Sequence, residues 1–428
     1  MFDLTKIKKV HFIGVGGIGI SAIARMMLLL GKEVSGSDQS QSQITEELAL
    51  AGAEIFLGHN AHNLPIDADL VVYTIAIPEA NPELSKAHEL SLPLMSYPEF
   101  IGALSEEKRT IAVTGTHGKT TTTAMIAEVM LASGLDPTVV VGSILKNHKS
   151  NFVAGTGEFL VVEACEYRRS FLNLQPEVLV ITNIEEDHLD YYEDLTDIQS
   201  AFRELVSRVP ETGAIICNPN DEKVKMVLVG AKAKIIDYTQ FDLSSVNLKV
   251  PGEFNKSNAR AALSAVGAVG VNGSATSAIE GFSGTWRRFD YQGKTETGAL
   301  VYDDYAHHPT EIRETLKMAQ GLAGEKKVIV AFQPHLFSRT KLLLKDLIDA
   351  LAVADQIFVL PIYAAREVDD GSVSSELLAE GLKSVGAEAY FESDFSVVAK
   401  KIESQAGLGD IVITMGAGDI FKLPLKVS

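Results

Sequence analysis

The chain has 428 residues, 46% apolar and 22% charged, with 38 Lys and Arg against 56 Asp and Glu for a formal net charge of −18. A length of this order allows two to four domains at roughly 100–200 residues each, and the composition excludes a disordered chain, a collagen-like repeat and a disulfide scaffold. The acidic balance argues against a protein that coats nucleic acid or an anionic membrane, while small anions can still be held by local clusters of backbone N–H groups.

The two cysteines, Cys165 and Cys217, both lie in apolar, strand-like runs. That usage fits a reducing compartment and no Cys-based metal cluster. The N-terminal string MFDLTKIKKVHFIGVGG lacks the pattern of a signal peptide. The longest strongly apolar stretch, near residues 23–30, contains Arg25 and is too short to span a bilayer. A cytoplasmic protein without stable membrane association is expected.

In chain order, short β-branched runs alternate with helical patterns, the grammar of parallel α/β architecture. Residues 9–15 read as a strand, followed by a glycine-rich turn and an apolar helix that stops at Gly31. Strands are expected at 33–37, ending beside Asp38, and at 70–75. A second block opens with a strand at 109–113, a Gly/Thr turn and a helix over 120–133, followed by strands at 158–164, 178–183 and 214–217. A third block has strands at 300–304, 327–332, 356–360 and 410–415, with the longest helix expected over 339–354. Polar or glycine-containing breaks near Glu106 and Gly284 divide the chain into 1–106, 107–284 and 285–428.

Two glycine motifs carry chemistry. Gly14, Gly16, Gly17 and Gly19 stand between a strand and a helix, and Asp38 follows 19 residues after the last. Glycines let the backbone turn tightly against a pyrophosphate that the helix N-terminus then holds, with the acidic residue spaced to meet a ribose hydroxyl. A dinucleotide, a sugar-nucleotide diphosphate and a purely structural turn all fit this string. The second motif is Gly115-Thr116-His117-Gly118-Lys119-Thr120, again between a strand and a helix. Its Gly-Lys-Thr ending is that of a phosphate loop, in which Lys119 reaches the β/γ-phosphates and Thr120 ligates Mg²⁺. The first glycine of the usual pattern would fall at Val113, so the loop is differently shaped; a Thr-rich helix start is the bland alternative.

Further candidates follow predicted strands. Glu163, ending the run FLVVE, is placed to hold Mg²⁺ beside the loop, with Glu166 nearby. His188 closes the string NIEEDH; on spacing alone a solitary His is more often structural. In the last block, Asp303, Tyr305, His307, His335, Arg339, Tyr363 and Arg366 lie just after strands, where open parallel sheets bind ligands.

Together, HFIGVGGIGISAIA, TGTHGKTTTTAMIAEVM, EACEYRRSF, TNIEEDHLDYY, FNKSNARAA, RRFDYQG, DDYAHHPTEI, FQPHLFSRT, IYAARE and GAGDI resemble the Mur ligase family, in the family's order and over nearly the whole chain. The resemblance implies three α/β domains: an N-terminal Rossmann-like UDP-substrate domain, a central P-loop-type ATPase domain and a C-terminal Rossmann-like amino-acid domain. It implies that Gly14, Gly16, Gly17, Gly19 and Asp38, with Thr74, Ala76 and the nearby Asn81-Pro82-Glu83, hold a UDP-sugar rather than NAD. ATP would be held by residues 115–121, including Thr121, with Asn255 and Asn258 near the adenine and Arg288 and Asp303 as further contacts. Thr120 and Glu163 would ligate one Mg²⁺ and His188 a second; Lys119, Glu163 and His188 would be catalytic. Tyr305, His307, His335, Arg339, Tyr363 and Arg366 would surround the amino acid and the reacting carboxyl.

The implied reaction joins L-alanine to UDP-N-acetylmuramate through an acyl phosphate. A murein-peptide ligase acting on the same sugar nucleotide is the near alternative, and an NAD-dependent dehydrogenase the remote one. Departures from the family's commoner strings are Cys165, Tyr167, Arg168 and Arg169 in EACEYRRSF, Phe254, and Leu336.

Overall fold

A computed structural model describes residues 3–271, 275–365 and 367–428. The chain divides into two compact units, one formed by residues 1–249 and 255–283, the other by residues 250–254 and 284–428. Three sheets carry the architecture. Their strands are mostly unbroken apolar runs, because a parallel strand covered on both faces has no solvent side to mark with polar residues.

The first unit holds two sheets. Strands β1 (Lys9–Ile13), β2 (Glu33–Asp38), β3 (Glu54–Leu57), β4 (Leu70–Tyr73) and β5 (Leu94–Ser96) form an all-parallel sheet in the order β3-β2-β1-β4-β5. Winding reverses between β1 and β4, which opens a crevice at their carboxyl ends. The second sheet contains β6 (Arg109–Thr114), β7 (Thr138–Leu145), β8 (Ser150–Val153), β9 (Phe159–Glu163), β10 (Val178–Ile181), β11 (Ala214–Cys217) and β12 (Lys234–Asp237). Its order is β12-β11-β10-β6-β9-β7-β8, parallel except for β7 against β8. Here β6 is central, so its loop opens between the ends of β9 and β10.

The two sheets share one buried apolar cluster, from Phe12 and Ile23 to Leu160 and Phe202. Asn151, buried on β8, donates from Nδ2 to the Ile18 carbonyl and to Ser21 Oγ (3.0 Å), at the start of helix Ile18–Leu29.

The second unit is built on β13 (Asp290–Lys294), β14 (Leu300–Asp304), β15 (Val328–Phe332), β16 (Gln356–Val359), β17 (Ala389–Phe391) and β18 (Ile411–Met415), in the order β13-β14-β18-β15-β16-β17. Only β13 runs antiparallel to its neighbour. The helix expected over 339–354 is two helices, Phe337–Leu342 and Leu344–Leu351, because Leu343 leaves helical geometry at φ −104° and ψ 16°. The longest described helix is instead Glu253–Ala268, of 16 residues. Among the described residues no helix is long and apolar enough to cross a membrane.

Candidate active site

The crevice of the first sheet is lined by the loop after β1 and the loop after β4. Gly14 has φ +81°, and a Cβ there would lie 2.5 Å from Thr74 Cγ2. A side chain at Gly19 would meet the Tyr97 ring at 2.8 Å. The Gly16 N–H donates to Asp38 Oδ2 at 2.9 Å, so Asp38 braces the glycine loop. Thr74 is half-buried at the strand end and Ala76 is exposed beside it. Glu83 is fully buried and saturated by His11 Nε2 (2.8 Å), Ser37 Oγ (2.7 Å), the Asn60 N–H (3.0 Å) and Asn63 Nδ2 (3.2 Å). The implied contact from Glu83 to substrate is therefore replaced by a staple beneath the crevice.

The loop after β6 is tighter. Gly115 has φ +130°, and any Cβ there would lie 2.1 Å from Thr182 Oγ1. Gly118, at φ +82°, faces Asn258 Oδ1, which a Cβ would approach to 2.5 Å. The strand end after β10 straps this loop down. Thr116 N–H donates to the Asn183 carbonyl (3.1 Å), His117 N–H to Asn183 Oδ1 (2.9 Å), and Thr182 Oγ1 to the His117 carbonyl (2.6 Å). Glu185 lies 3.3 Å from the His117 ring through Oε2. Asn258 and Asn255, both buried, are linked at 3.4 Å. The tethering role of Thr182 and Asn183 has no signature in the sequence beyond their position after a strand.

Lys119 begins helix Lys119–Ala132, and its Nζ donates to the Gly115 carbonyl (2.5 Å), the Thr116 carbonyl (3.1 Å) and Glu166 (3.0 Å). Burial opposes its ammonium, yet Glu166 and Glu163 more than offset this and hold its pKa above the ordinary lysine value. Thr120 Oγ1 donates to Glu163 Oε1 at 3.0 Å, while Glu163 Oε2 accepts the Gly142 N–H at 2.7 Å. Thr121 is buried one residue along the same helix. Glu166, a minor candidate from sequence, is a centre of this site. Its carboxylate pairs with Lys119, its carbonyl accepts the Tyr192 hydroxyl (2.5 Å), and His188 Nε2 stands 3.9 Å from it.

His188 has φ +56°, and its buried Nδ1 has no hydrogen-bond partner. The other ring nitrogen, Nε2, faces the Glu166 (3.9 Å) and Asp187 (3.8 Å) carboxylates, and a buried imidazole nitrogen without a partner is an exception that a metal ion would account for. Oxygen donors from Thr120, Glu163 and Glu166 make a hard, anionic set that suits Mg²⁺.

In the second unit, the rings of Tyr305 and His307 (5.5 Å), His307 and His335 (5.8 Å) and His335 and Tyr363 (5.8 Å) form a row at the carboxyl ends of the sheet. Arg339 Nη1 lies 3.0 Å from His335 Nδ1. Guanidinium can only donate, so Nδ1 accepts and a neutral His335 carries its proton on Nε2. Arg288 lies over the Tyr305 ring at 5.1 Å. Asp303 is buried and bound by Arg287 Nε and Thr414 Oγ1, each at 2.7 Å. It orders Arg287, which also donates to the Gly416 (2.6 Å) and Gly418 (2.8 Å) carbonyls, so the structure places Asp303, expected near ATP, in an internal ion pair. Leu336 is buried with φ +67° and starts helix Phe337–Leu342. Arg366 lies outside the described residues.

Three family descriptions match in succession: "Mur ligase family, catalytic domain" over residues 9–109, "Mur ligase middle domain" over 113–266, and "Mur ligase, glutamate ligase domain" over 287–418. The UDP-N-acetylmuramate–L-alanine ligase of Clostridium kluyveri is 40% identical over 452 aligned positions, covering 99% of this chain and 98% of that protein. The crystal structure of UDP-N-acetylmuramate–alanine ligase from Thermotoga maritima superposes with a TM-score of 0.81 at 31% identity, over 97% of this chain and 96% of that one. A murein peptide ligase from Psychrobacter arcticus shares the fold, with a TM-score of 0.74 at 24% identity and 97% coverage of each chain. Full-length identity at this level, with matches to all three parts in order, establishes that the chain belongs to the Mur ligase family.

Proposed function

We propose that this protein is an ATP-dependent ligase that joins L-alanine to the lactyl carboxylate of UDP-N-acetylmuramate, a step in building peptidoglycan precursors. The observation that carries this reading is the convergence of Lys119, Thr120, Glu163, Glu166 and His188 on one strapped glycine loop, in a chain 40% identical to ligases of that name.

The reaction must bring two anions together. The lactyl carboxylate oxygen attacks the γ-phosphorus of ATP, the bond to the bridging oxygen breaks, and ADP leaves. The resulting acyl phosphate has a good leaving group where the free carboxylate has none. The amine of L-alanine then attacks the acyl carbon, the tetrahedral intermediate collapses, and phosphate departs with the amide formed.

Lys119 and the N–H groups of residues 115–121 neutralise charge on the transferring phosphoryl group. In doing so Lys119 exchanges its carbonyl partners and Glu166 for phosphate oxygens. Asn255 and Asn258 flank the nucleotide next to Gly118. Thr120, Glu163 and His188 would hold Mg²⁺, which supplies further positive charge at the phosphate oxygens when bound. The loop of Gly14, Gly16, Gly17 and Gly19, braced by Asp38 and faced by Thr74 and Ala76, holds the UDP diphosphate on backbone N–H groups. Tyr305, His307, His335, Arg339 and Tyr363 form the amino-acid pocket, with Arg339 the cation for its carboxylate.

The test supplies ATP, Mg²⁺ and UDP-N-acetylmuramate and measures phosphate release with and without L-alanine, together with the product mass. Alanine-dependent release with gain of one alanyl residue is expected. A free tripeptide working far better than alanine would instead make this a murein-peptide ligase, and release independent of any amine would refute amide ligation.

A further inference from the structure

The ligase reading leaves the Glu166-Tyr167-Arg168-Arg169 string with two arginines that have no task. Arg168 and Arg169 are consecutive non-glycine residues in the left-handed region, at φ 50° and 56°. That conformation costs roughly 1–2 kcal/mol per residue and persists where the surroundings impose it. Arg169 has a carboxylate partner, Asp197 at 2.5 Å, and lies over the Tyr192 ring at 5.8 Å.

Arg168 is exposed, rests 5.6 Å over the Tyr167 ring, and spends one N–H on the Ile75 carbonyl at 3.2 Å. Among the described residues no carboxylate pairs with it, in a chain with 56 acidic residues. Its neighbours define its place. Ile75 belongs to the loop after β4, next to Thr74 at the first crevice. The Tyr167 ring lies 4.8 Å from the His188 ring, and His188 faces Glu166, the carboxylate paired with Lys119. The guanidinium therefore stands between the loop proposed for the UDP diphosphate and the loop proposed for the γ-phosphate.

The part of the substrate that must cross this interval is the sugar with its reacting carboxylate. We infer that Arg168 is a positioning residue that holds the lactyl carboxylate of the sugar nucleotide between the two phosphate-binding loops, an inference that rests on the ligase reading. A planar fork of donors matches a carboxylate, and a fixed cation there lowers the repulsion between that carboxylate and ATP. The diphosphate has its own donors in the glycine loop, so it is the carboxylate that needs this cation.

The test is calorimetric titration of the full-length wild type, Arg168→Ala and Arg168→Lys with UDP-N-acetylmuramate, with UDP-N-acetylglucosamine, which keeps the diphosphate but lacks the lactyl carboxylate, and with ATP. Arg168→Ala is expected to weaken UDP-N-acetylmuramate about 10- to 100-fold, the range of a charged hydrogen-bonded contact, with partial recovery in Arg168→Lys. Affinity for UDP-N-acetylglucosamine and ATP stays unchanged, and in turnover the KM for UDP-N-acetylmuramate rises while that for ATP does not. Equal weakening of both sugar nucleotides would assign Arg168 to the diphosphate or the fold, and no weakening of either would remove its role; each overturns the inference. A wild type that binds ATP but neither sugar nucleotide would instead overturn the ligase reading, and the inference with it.

Discussion

Lys119 and Glu166 form an ion pair at the glycine loop, Nζ 3.0 Å from the carboxylate, with both side chains largely withdrawn from water. Removing one member of such a pair strands the other charge, which typically costs about 3–5 kcal/mol. Lys119→Ala is thus expected to abolish ADP formation, by at least about 10³-fold, and also to lower unfolding free energy by about 3 kcal/mol at neutral pH. Adding Glu166→Gln should recover most of that stability and none of the activity. Urea unfolding of both single variants and the double variant measures the coupling; strictly additive effects would mean the pair is not a unit.

At the other glycine loop, Gly14→Ala meets two separable obstacles. The backbone has φ +81°, and the new methyl group would lie 2.5 Å from Thr74 Cγ2. Left-handed strain costs about 1–2 kcal/mol and overpacking about 1–3 kcal/mol. The variant should lose stability by the sum and show a raised KM for the sugar nucleotide, with the KM for ATP unchanged. Thr74→Ser deletes the opposing methyl, so Gly14→Ala/Thr74→Ser should regain only the overpacking part in a thermal melt. Full recovery would show that the φ constraint is not real.

Glu163 uses one oxygen on Thr120 and the other on the Gly142 N–H. Glu163→Gln keeps its size but loses the charge that draws a divalent cation. Turnover is expected to fall about 10²-fold or more and the Mg²⁺ concentration for half-maximal phosphate release to rise at least about 10-fold. Chelating divalent metal should stop phosphate release in the wild type, and added Mg²⁺ should restore it. An unchanged Mg²⁺ dependence in Glu163→Gln would remove this carboxylate from the metal site.

Much of this architecture is legible in the sequence because buried parallel strands are continuous apolar runs. The cores of β6, β10, β15 and β18 fall where VVI-rich runs predict them, within a residue or two at each end. Among the strands that escape notice, β3, β5, β8 and β17 are three or four residues long, and all four are sheet edges, where one side lacks a partner and polar residues are tolerated. Glycine loops are legible because few other residues fit φ near +80° or +130°. The partnerships of Glu166 with Lys119 and of Arg287 with Asp303 are not, since both depend on chain segments brought together only by the sheets. Nor is the break at Leu343 visible in LLLKDLIDALAVA, an apolar pattern that a single helix satisfies equally well.

Asp304, at the end of β14, offers a pH signature. It is buried and accepts the Ala306 (2.7 Å) and Phe289 (2.9 Å) N–H groups. Burial dominates over these bonds and pushes its carboxyl up to about 6, from an ordinary 3.8. The folded protein therefore prefers the protonated form more than the unfolded chain does. The stabilisation from that proton is complete below the unfolded value near 3.8 and is lost as pH rises through about 6. Asp304→Asn cannot titrate, so the stability of wild type relative to this variant should increase as pH falls from about 7 to about 4, by up to about 3 kcal/mol. A constant offset of about 1 kcal/mol is expected as well, because one N–H loses its acceptor. Chemical denaturation of both proteins across that range gives the difference directly. A difference that does not vary with pH would mean the Asp304 carboxyl ionises in the fold as it does in water.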